Sequence, residues 1–345
     1  MNKGNTMDKA PLFKKKPAAR SMALFCVFAL LFLLCISSIA IGTRDVSLQE
    51  VLGALQGQID TMGEASVSMR IPRTLLAVIA GSALGLSGAI MQSITRNPLA
   101  DPGILGVNVG AAFFVVIGLA WFGINQQQSY VWLAILGAGI TAIFVYVISS
   151  LGYGKSTPLK FALAGAATSA ALSSFTVAVV LPRNDIAGGV NSWQIGGVGG
   201  ATFGSIQLVL PFLVLGILLS ALVARKLNSL ALGDDIAAGL GENVAWVRII
   251  AWLSAVLLCG ATTAICGPIG FVGLVVPHLC RLLVGVDNRW LLIFSALTGA
   301  CLLLTADVLG RIISRPSELP VGVVTAFVGA PFFIWIARRQ RVKEL

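Results

Sequence analysis

The sequence predicts an all-α, polytopic membrane protein of about ten transmembrane helices with an inverted internal repeat, and three observations carry that prediction. Hydrophobic residues make up 57% of the chain, charged residues only 11%, and mean hydropathy is +0.92. A soluble domain carries about 25% charged residues. Apolar windows of roughly bilayer length recur along the whole chain, and its Lys and Arg residues fall mainly on one side of them.

Residues 1–20 form a basic tail that ends in Lys14, Lys15, Lys16 and Arg20. The apolar stretch from Ser21 to Ile41 follows. A cleaved signal peptide has an apolar core of about 7–15 residues; this stretch is about 20, the length of a full span, and reads as a retained first helix. Residues 21–345 then form one transmembrane domain, with further windows near 74–94, 104–123, 131–151, 159–181, 204–224, 246–266, 270–284, 290–306 and 321–337. The pair 270–284 and 290–306 is too short to cross about 30 Å of hydrocarbon unaided. With the N-terminus inside, both termini are cytoplasmic. Eighteen of the 24 Lys and Arg are then inside, leaving Arg44, Arg70, Arg73, Arg183, Arg311 and Arg315 outside, as the positive-inside rule asks. The net charge of +10 thus records topology and does not point to nucleic acid.

The outer loop 43–73 holds V-S-L-Q-E-V-L-G-A-L-Q, an amphipathic surface helix, and ends in S-M-R-I-P-R-T. Pro72 is expected to open the second span, since a proline in the first turn wastes no hydrogen bond. Gly81, Gly85 and Gly88 make a small-residue stripe suited to close helix packing. Sliding the chain by 179 residues without gaps lays Gly81 on Gly260, Gly88 on Gly267, Pro98 on Pro277 and Gly106 on Gly285. The matched segments lie five spans apart and cross in opposite directions, giving pseudo-repeats of about 70–224 and 246–337. Pro- and Gly-rich backbone follows both members, at 96–106 and 267–278. It is tolerated at membrane depth where protein or a water-filled cavity covers it, as a pathway or hinge or as a tight helix-to-helix turn.

The polar interval between the repeats, 225–245 with Arg248 just beyond, looks like a short helix. Leu230, Leu232, Ile236 and Leu240 fall roughly on one face, Gly233 and Gly239 bracket a turn, and Asp234 and Asp235 suit a helix N-terminus. Such a helix between two spans serves either as a grip for a cytoplasmic partner or as a solvated connector. On the outside, Arg70, Arg73, Arg311 and Arg315 either anchor helix ends or present a cationic face to carboxylates of an external partner.

Covalent chemistry has little to work with. G-Y-G-K-S at 152–156 ends like a phosphate-binding loop, but Ser149 stands where glycine is needed and the segment follows a membrane helix, not a strand. There is no Ser-His-Asp set, H-E-x-x-H or carboxylate pair, so an enzyme is not expected. The six cysteines lie in or beside apolar runs without a C-x-x-C pair, and His278 is the only histidine; they read as packing residues, with no metal site. An ion-coupled secondary transporter is the rival reading. It gains from the repeat and loses from the lack of ionisable residues deep in the spans, where only Asp307 comes near, one turn before Arg311 as a local ion pair. A receptor or scaffold would not need broken helices.

Several long stretches in order resemble the iron-siderophore and vitamin B12 class of ABC import permeases: R-I-P-R-T at 70–74, G-A-I-M-Q-S-I-T-R-N-P-L-A-D-P-G-I-L-G-V at 88–107, A-L-G-D-D-I-A-A-G-L-G at 231–241, G-P-I-G-F-V-G-L-V-V-P-H at 267–278, and A-D-V-L-G-R with E-L-P-V-G-V-V-T-A-F-V-G-A-P-F-F at 306–333. R-K-L-N-S-L-A-L-G-D-D looks closest to permeases for ferric siderophores of the enterobactin type; haem or vitamin B12 is the alternative cargo. The resemblance implies a multi-pass protein of the bacterial inner membrane and a permease dimer, identical or paralogous. It also implies two cytoplasmic ATPase subunits that hold the ATP and Mg, an extracytoplasmic substrate-binding protein, and no cofactor bound by this chain. Leu232, Gly233, Asp234, Asp235, Ala238 and Gly239 match the ATPase-coupling segment, and Arg70, Arg73 and Arg311 match positions that receive binding-protein carboxylates. Ser156 and Thr157 match a cytoplasmic gate region, with Gln92, Asn97 and Pro98 as further gate or pathway positions.

Overall fold

The computed structural model describes residues 17–124, 127–151 and 158–339. Their regular structure is helical: α1 (Pro17–Ala40), α2 (Leu48–Leu55), α3 (Met62–Thr95), a 3-10 turn (Pro102–Leu105), α4 (Val107–Phe122), α5 (Gln127–Ser150), α6 (Pro158–Val180), α7 (Asn184–Gln194), α8 (Phe203–Val223), α9 (Lys226–Ala231), α10 (Asp234–Gly239), α11 (Val244–Cys266), α12 (Val272–Val284), α13 (Asn288–Ile313) and α14 (Val321–Arg339). Among the described residues seven helices are long and apolar enough to cross a membrane: α1, α3, α5, α6, α8, α11 and α13. Three shorter apolar helices, α4, α12 and α14, occupy the remaining apolar windows.

Local chemistry sets the helix starts. Ser47 and Glu50 form a reciprocal capping box at α2, and Thr61 and Glu64 form another at α3, each satisfying two backbone donors that no intrahelical carbonyl can reach. The Thr61 box starts α3 at Met62, so Pro72 lies ten residues inside the helix instead of opening it. A strong cap upstream overrides the proline signal, and the cost is one missing helical hydrogen bond to Ser68.

The core is built on α3, α11, α12 and α13. Gly81 meets the backbone of Gly299, Gly85 meets the Ser295 carbonyl, and Gly88 meets the Gly273 backbone. A Cβ at any of the three would drive into main chain, so the stripe is what lets α3 press on α13 and α12. The Ser87 hydroxyl donates to the Ala255 carbonyl at 2.8 Å and ties α3 to α11. By contrast α1 turns Phe25, Phe28 and Phe32 outward, as a lipid-facing helix should.

Two expectations change here. α13 runs on to Ile313, beyond the window that closed at 306. Hydropathy stopped at Asp307 and Arg311 because it scores them as separate polar residues, whereas within α13 they neutralise each other at 2.7 Å. The second irregular segment is also shorter than expected. Gly267 (φ 68°) ends α11 and Phe271 (φ 68°) precedes α12, but 272–278 is helical and carries Pro277 within it. The first segment keeps its irregularity: Arg96 (φ 52°) closes α3, Asp101 caps the 3-10 turn by accepting from the Gly103 amide at 2.7 Å, and Gly106 (φ 72°) opens α4.

Candidate functional site

Two polar centres sit far apart along α3, one at Arg73, eleven residues in from its start, and one at its C-terminal end. From Arg73 to Arg96 the helix rises about 35 Å, at 1.5 Å per residue, so one centre lies at each end of the bundle.

At the end containing Arg73, three arginines that the sequence placed outside converge on α1 and α13. Arg311 and Asp307 are each only 1% exposed in their side chains. Arg311 also donates to the carbonyls of Ser38 (2.9 Å) and Ile41 (3.0 Å) and to the Ser38 hydroxyl (2.8 Å). Arg73 pairs with Asp307 at 2.8 Å and with Glu318 at 2.6 Å. Arg70 donates to the carbonyls of Ile39, Ala40 and Arg44 at 2.7–3.1 Å. Planar five-donor guanidiniums suit this work, because each can satisfy several carbonyls left over at the end of α1. Most of their donors are therefore used within the chain. A cavity of about 260 Å³ remains above them, lined by Thr43, Arg44, Arg70, Arg73, Arg311 and Glu318 among others. Arg44 is exposed and was given no role in the sequence reading; so was Glu318.

The other centre is the polar interval. Gly233 takes φ 122°, a conformation that L side chains rarely adopt, and it breaks the interval into α9 and α10. The break also divides the leucines expected on one face. Leu227, Leu230 and Ala237 are fully buried, while Leu232, Ile236 and Leu240 are 61%, 54% and 64% exposed. Asp235, Ala238 and Gly239 are exposed beside them. Asp234 instead turns back into the bundle: it pairs with Arg96 at the end of α3 and with Arg248 of α11 at 2.9 Å. α9 is held separately. Asn228 donates to Asp287 at 2.8 Å and accepts from the Asn288 amide at 2.8 Å, and Asn288 accepts from Ser93 of α3 at 2.6 Å.

Of the expected gate positions, Ser156 and Thr157 lie outside the described residues. Gln92 is buried and donates to the carbonyls of Gly273 and Leu274 at 3.2 Å, while Arg281 donates to its oxygen; it joins α3 to α12. Asn97 accepts from the Leu99 amide at 3.0 Å, a local turn that Pro98 suits. A larger cavity of about 440 Å³ lies among α4, α6 and α7, lined by Asn108, Ser173, Thr176, Asn184, Asn191 and Gln194 with aliphatic neighbours. Sequence reasoning passed over these residues, because neutral polar groups scattered on three helices have no spacing to find, and α7 lies between the apolar windows 159–181 and 204–224.

The carboxyl of Glu50 lies below the ordinary carboxylate range, first because the Ser47 backbone amide donates to it and then because the Ser47 hydroxyl does.

Comparison with known proteins agrees with this architecture. The family model described as the FecCD transport family matches residues 30–339. The chain is 42% identical over 323 residues to the ferric enterobactin transport system permease protein FepD of Escherichia coli (strain K12), covering 93% of this chain and 96% of that one. It is 40% identical over 330 residues to the Fe(3+)-citrate import system permease protein YfmD of Bacillus subtilis (strain 168), covering 95% and 98%. A solved structure described as a metal-chelate type ABC transporter in an inward-facing conformation superposes with a TM-score of 0.80 at 28% identity, over 93% of this chain and all of that one. Helical architecture, a match over most of the length and close permease relatives lead to one conclusion: the chain belongs to the FecCD transport family and is a membrane transport permease.

Proposed function

We propose that this permease moves a ferric siderophore inward across a bacterial inner membrane as one subunit of an ABC importer. Hydrolysis of ATP in a separate cytoplasmic ATPase dimer drives it, a substrate-binding protein delivers cargo on the far side, and a second permease, identical or paralogous, completes the pathway. Both termini face the cytoplasm. The repeats about 70–224 and 246–337 rock against each other to alternate access, and no side chain performs covalent chemistry.

The observation that carries this reading is the exposed apolar surface of Leu232, Ile236 and Leu240 beside Asp235. It projects from a polar interval anchored by Leu227, Leu230 and Ala237. Lipid does not account for apolar side chains in the cytoplasmic loop of this topology, but a groove in a partner does. At the opposite end, the arginine-lined cavity supports docking of binding-protein carboxylates at its rim, where Arg44 is exposed and Arg73 lies beneath, while buried Arg70 and Arg311 hold the cavity's shape and its positive charge. The neutral polar lining of the larger cavity supports passage of bulky cargo without tight binding, leaving selectivity to the binding protein.

Replacing Ile236 by Asp tests the reading. Co-purification of the ATPase with the permease should fall at least about tenfold, the scale of losing one buried interface anchor, while the permease still inserts and purifies. Undiminished ATPase recovery with I236D would overturn it.

A further inference from the structure

A helix pushed from below must pass its motion to the pathway, and Asp234 is placed to do so. Its oxygens are taken by two guanidiniums of its own chain, Arg96 and Arg248. The next residue, Asp235, is exposed and makes no ion pair among the described residues. The adjacent carboxylates therefore face different ways. Asp235 belongs to the surface with Leu232 and Ile236, whereas Asp234 belongs to the junction of α10, α3 and α11.

Arg96 is no ordinary surface partner. It is the left-handed C-cap of α3, a conformation that costs a non-glycine residue about 1 kcal/mol and needs surroundings to hold it. Asn97, which turns onto the Leu99 amide, follows directly. Asp101 then caps the 3-10 turn, and Gly106 opens α4. At the second residue of α4, Asn108 lines the 440 Å³ cavity and accepts from Thr263 of α11 at 2.8 Å. A short, locally bonded run of backbone thus connects the Asp234 carboxylate to the cavity wall. The trio is also partly in solvent: the side chains of Asp234, Arg96 and Arg248 are 26%, 39% and 38% exposed. Ion pairs this wet are weak enough to break and reform in each cycle.

We propose that Asp234 is a positioning residue: an ionic joint through which α10 moves Arg96, and with it the 97–106 backbone and the cavity wall, while Asp235 and the apolar side chains make the ATPase contact. This rests on the reading of α10 as the docking helix.

The test uses the complete importer in proteoliposomes, with ferric enterobactin labelled with iron-55 as the probe, and reads two quantities: ATPase retained on the purified permease, and ATP hydrolysed per iron delivered. D234N and R96Q should each keep the ATPase bound yet raise ATP per iron about three- to fivefold, the range of a partly exposed ion pair. The double variant should be no worse than either single one, because both remove the same link. R96K should restore the ratio nearly to that of the parent, which separates a charge joint from a packing defect. An unchanged ratio in R96Q, additive effects in the double variant, or loss of ATPase from D234N would each overturn the joint. I236D runs alongside: if it retains the ATPase, the docking reading falls and the joint with it, whereas if it loses the ATPase and R96Q is silent, the joint alone is wrong.

Discussion

At two points about 35 Å apart along α3 one aspartate is held between two arginines, and the two centres behave differently because of the water around them. Asp307 sits between Arg73 and Arg311, and its side chain and that of Arg311 are 1% exposed. Asp234 sits between Arg96 and Arg248 with all three side chains partly in solvent. In the dry centre, the remaining guanidinium donors must find acceptors or destabilise the fold, and they find the carbonyls of Ser38 and Ile41. That fastens α1 and α13 together and, through Arg73 and Arg70, α3 as well. In the wet centre, water can replace either partner, so the contact orients helices without locking them. The same trio of side chains, one aspartate and two arginines, therefore makes a rivet at one end and a joint at the other.

The largest expected effect is at the rivet. Arg311→Met leaves Asp307 with Arg73 alone and takes a donor from the Ser38 and Ile41 carbonyls at the end of α1. It should destabilise the protein by about 3–5 kcal/mol, the cost of breaking a buried pair from one side, read as a fall in the thermal unfolding midpoint in detergent. A loss below about 1 kcal/mol would remove the distinction from an exposed pair. Arg248→Gln, the matching change at the joint, should shift stability by less than about 1 kcal/mol in the same assay; a loss as large as that of R311M would mean the Asp234 centre is also a rivet.

The smallest effect concerns the Glu50 cap of α2, an exposed pairing with Ser47. Its folded-state carboxyl is depressed by the Ser47 donors, so its contribution is present above the ordinary glutamate value of about 4.3 and disappears as pH falls through the lower folded value. A spin label at position 52 should stay ordered at neutral pH and gain mobility only well into the acid range. Glu50→Gln should abolish that pH response, and an identical acid transition in E50Q would assign it elsewhere.

Much of this was legible in the residues themselves. The Gly81, Gly85 and Gly88 stripe announced close packing, V-S-L-Q-E-V-L announced an amphipathic surface helix, and the polar interval announced a short helix, because these signals are local: a missing Cβ, an apolar face at helical spacing, a run of charge amid apolar sequence. The Asp307–Arg311 pair was legible for the same reason, as two opposite charges one turn apart. The partner count of Arg311 was not, since Ser38 and Ile41 lie about 270 residues away in sequence.

The sequence alone determined that the chain is a helical membrane protein and that a glycine stripe would let its helices pack closely, since composition and hydropathy act over the whole chain at once and a missing Cβ acts at its own position. Only the tertiary structure decided that Pro72 lies inside a helix, that Leu230 is buried while Leu232 is not, and that Asp234 looks inward while Asp235 looks out. Those outcomes depend on which distant surface each side chain meets, and burial is a property of the packed helices rather than of the residue.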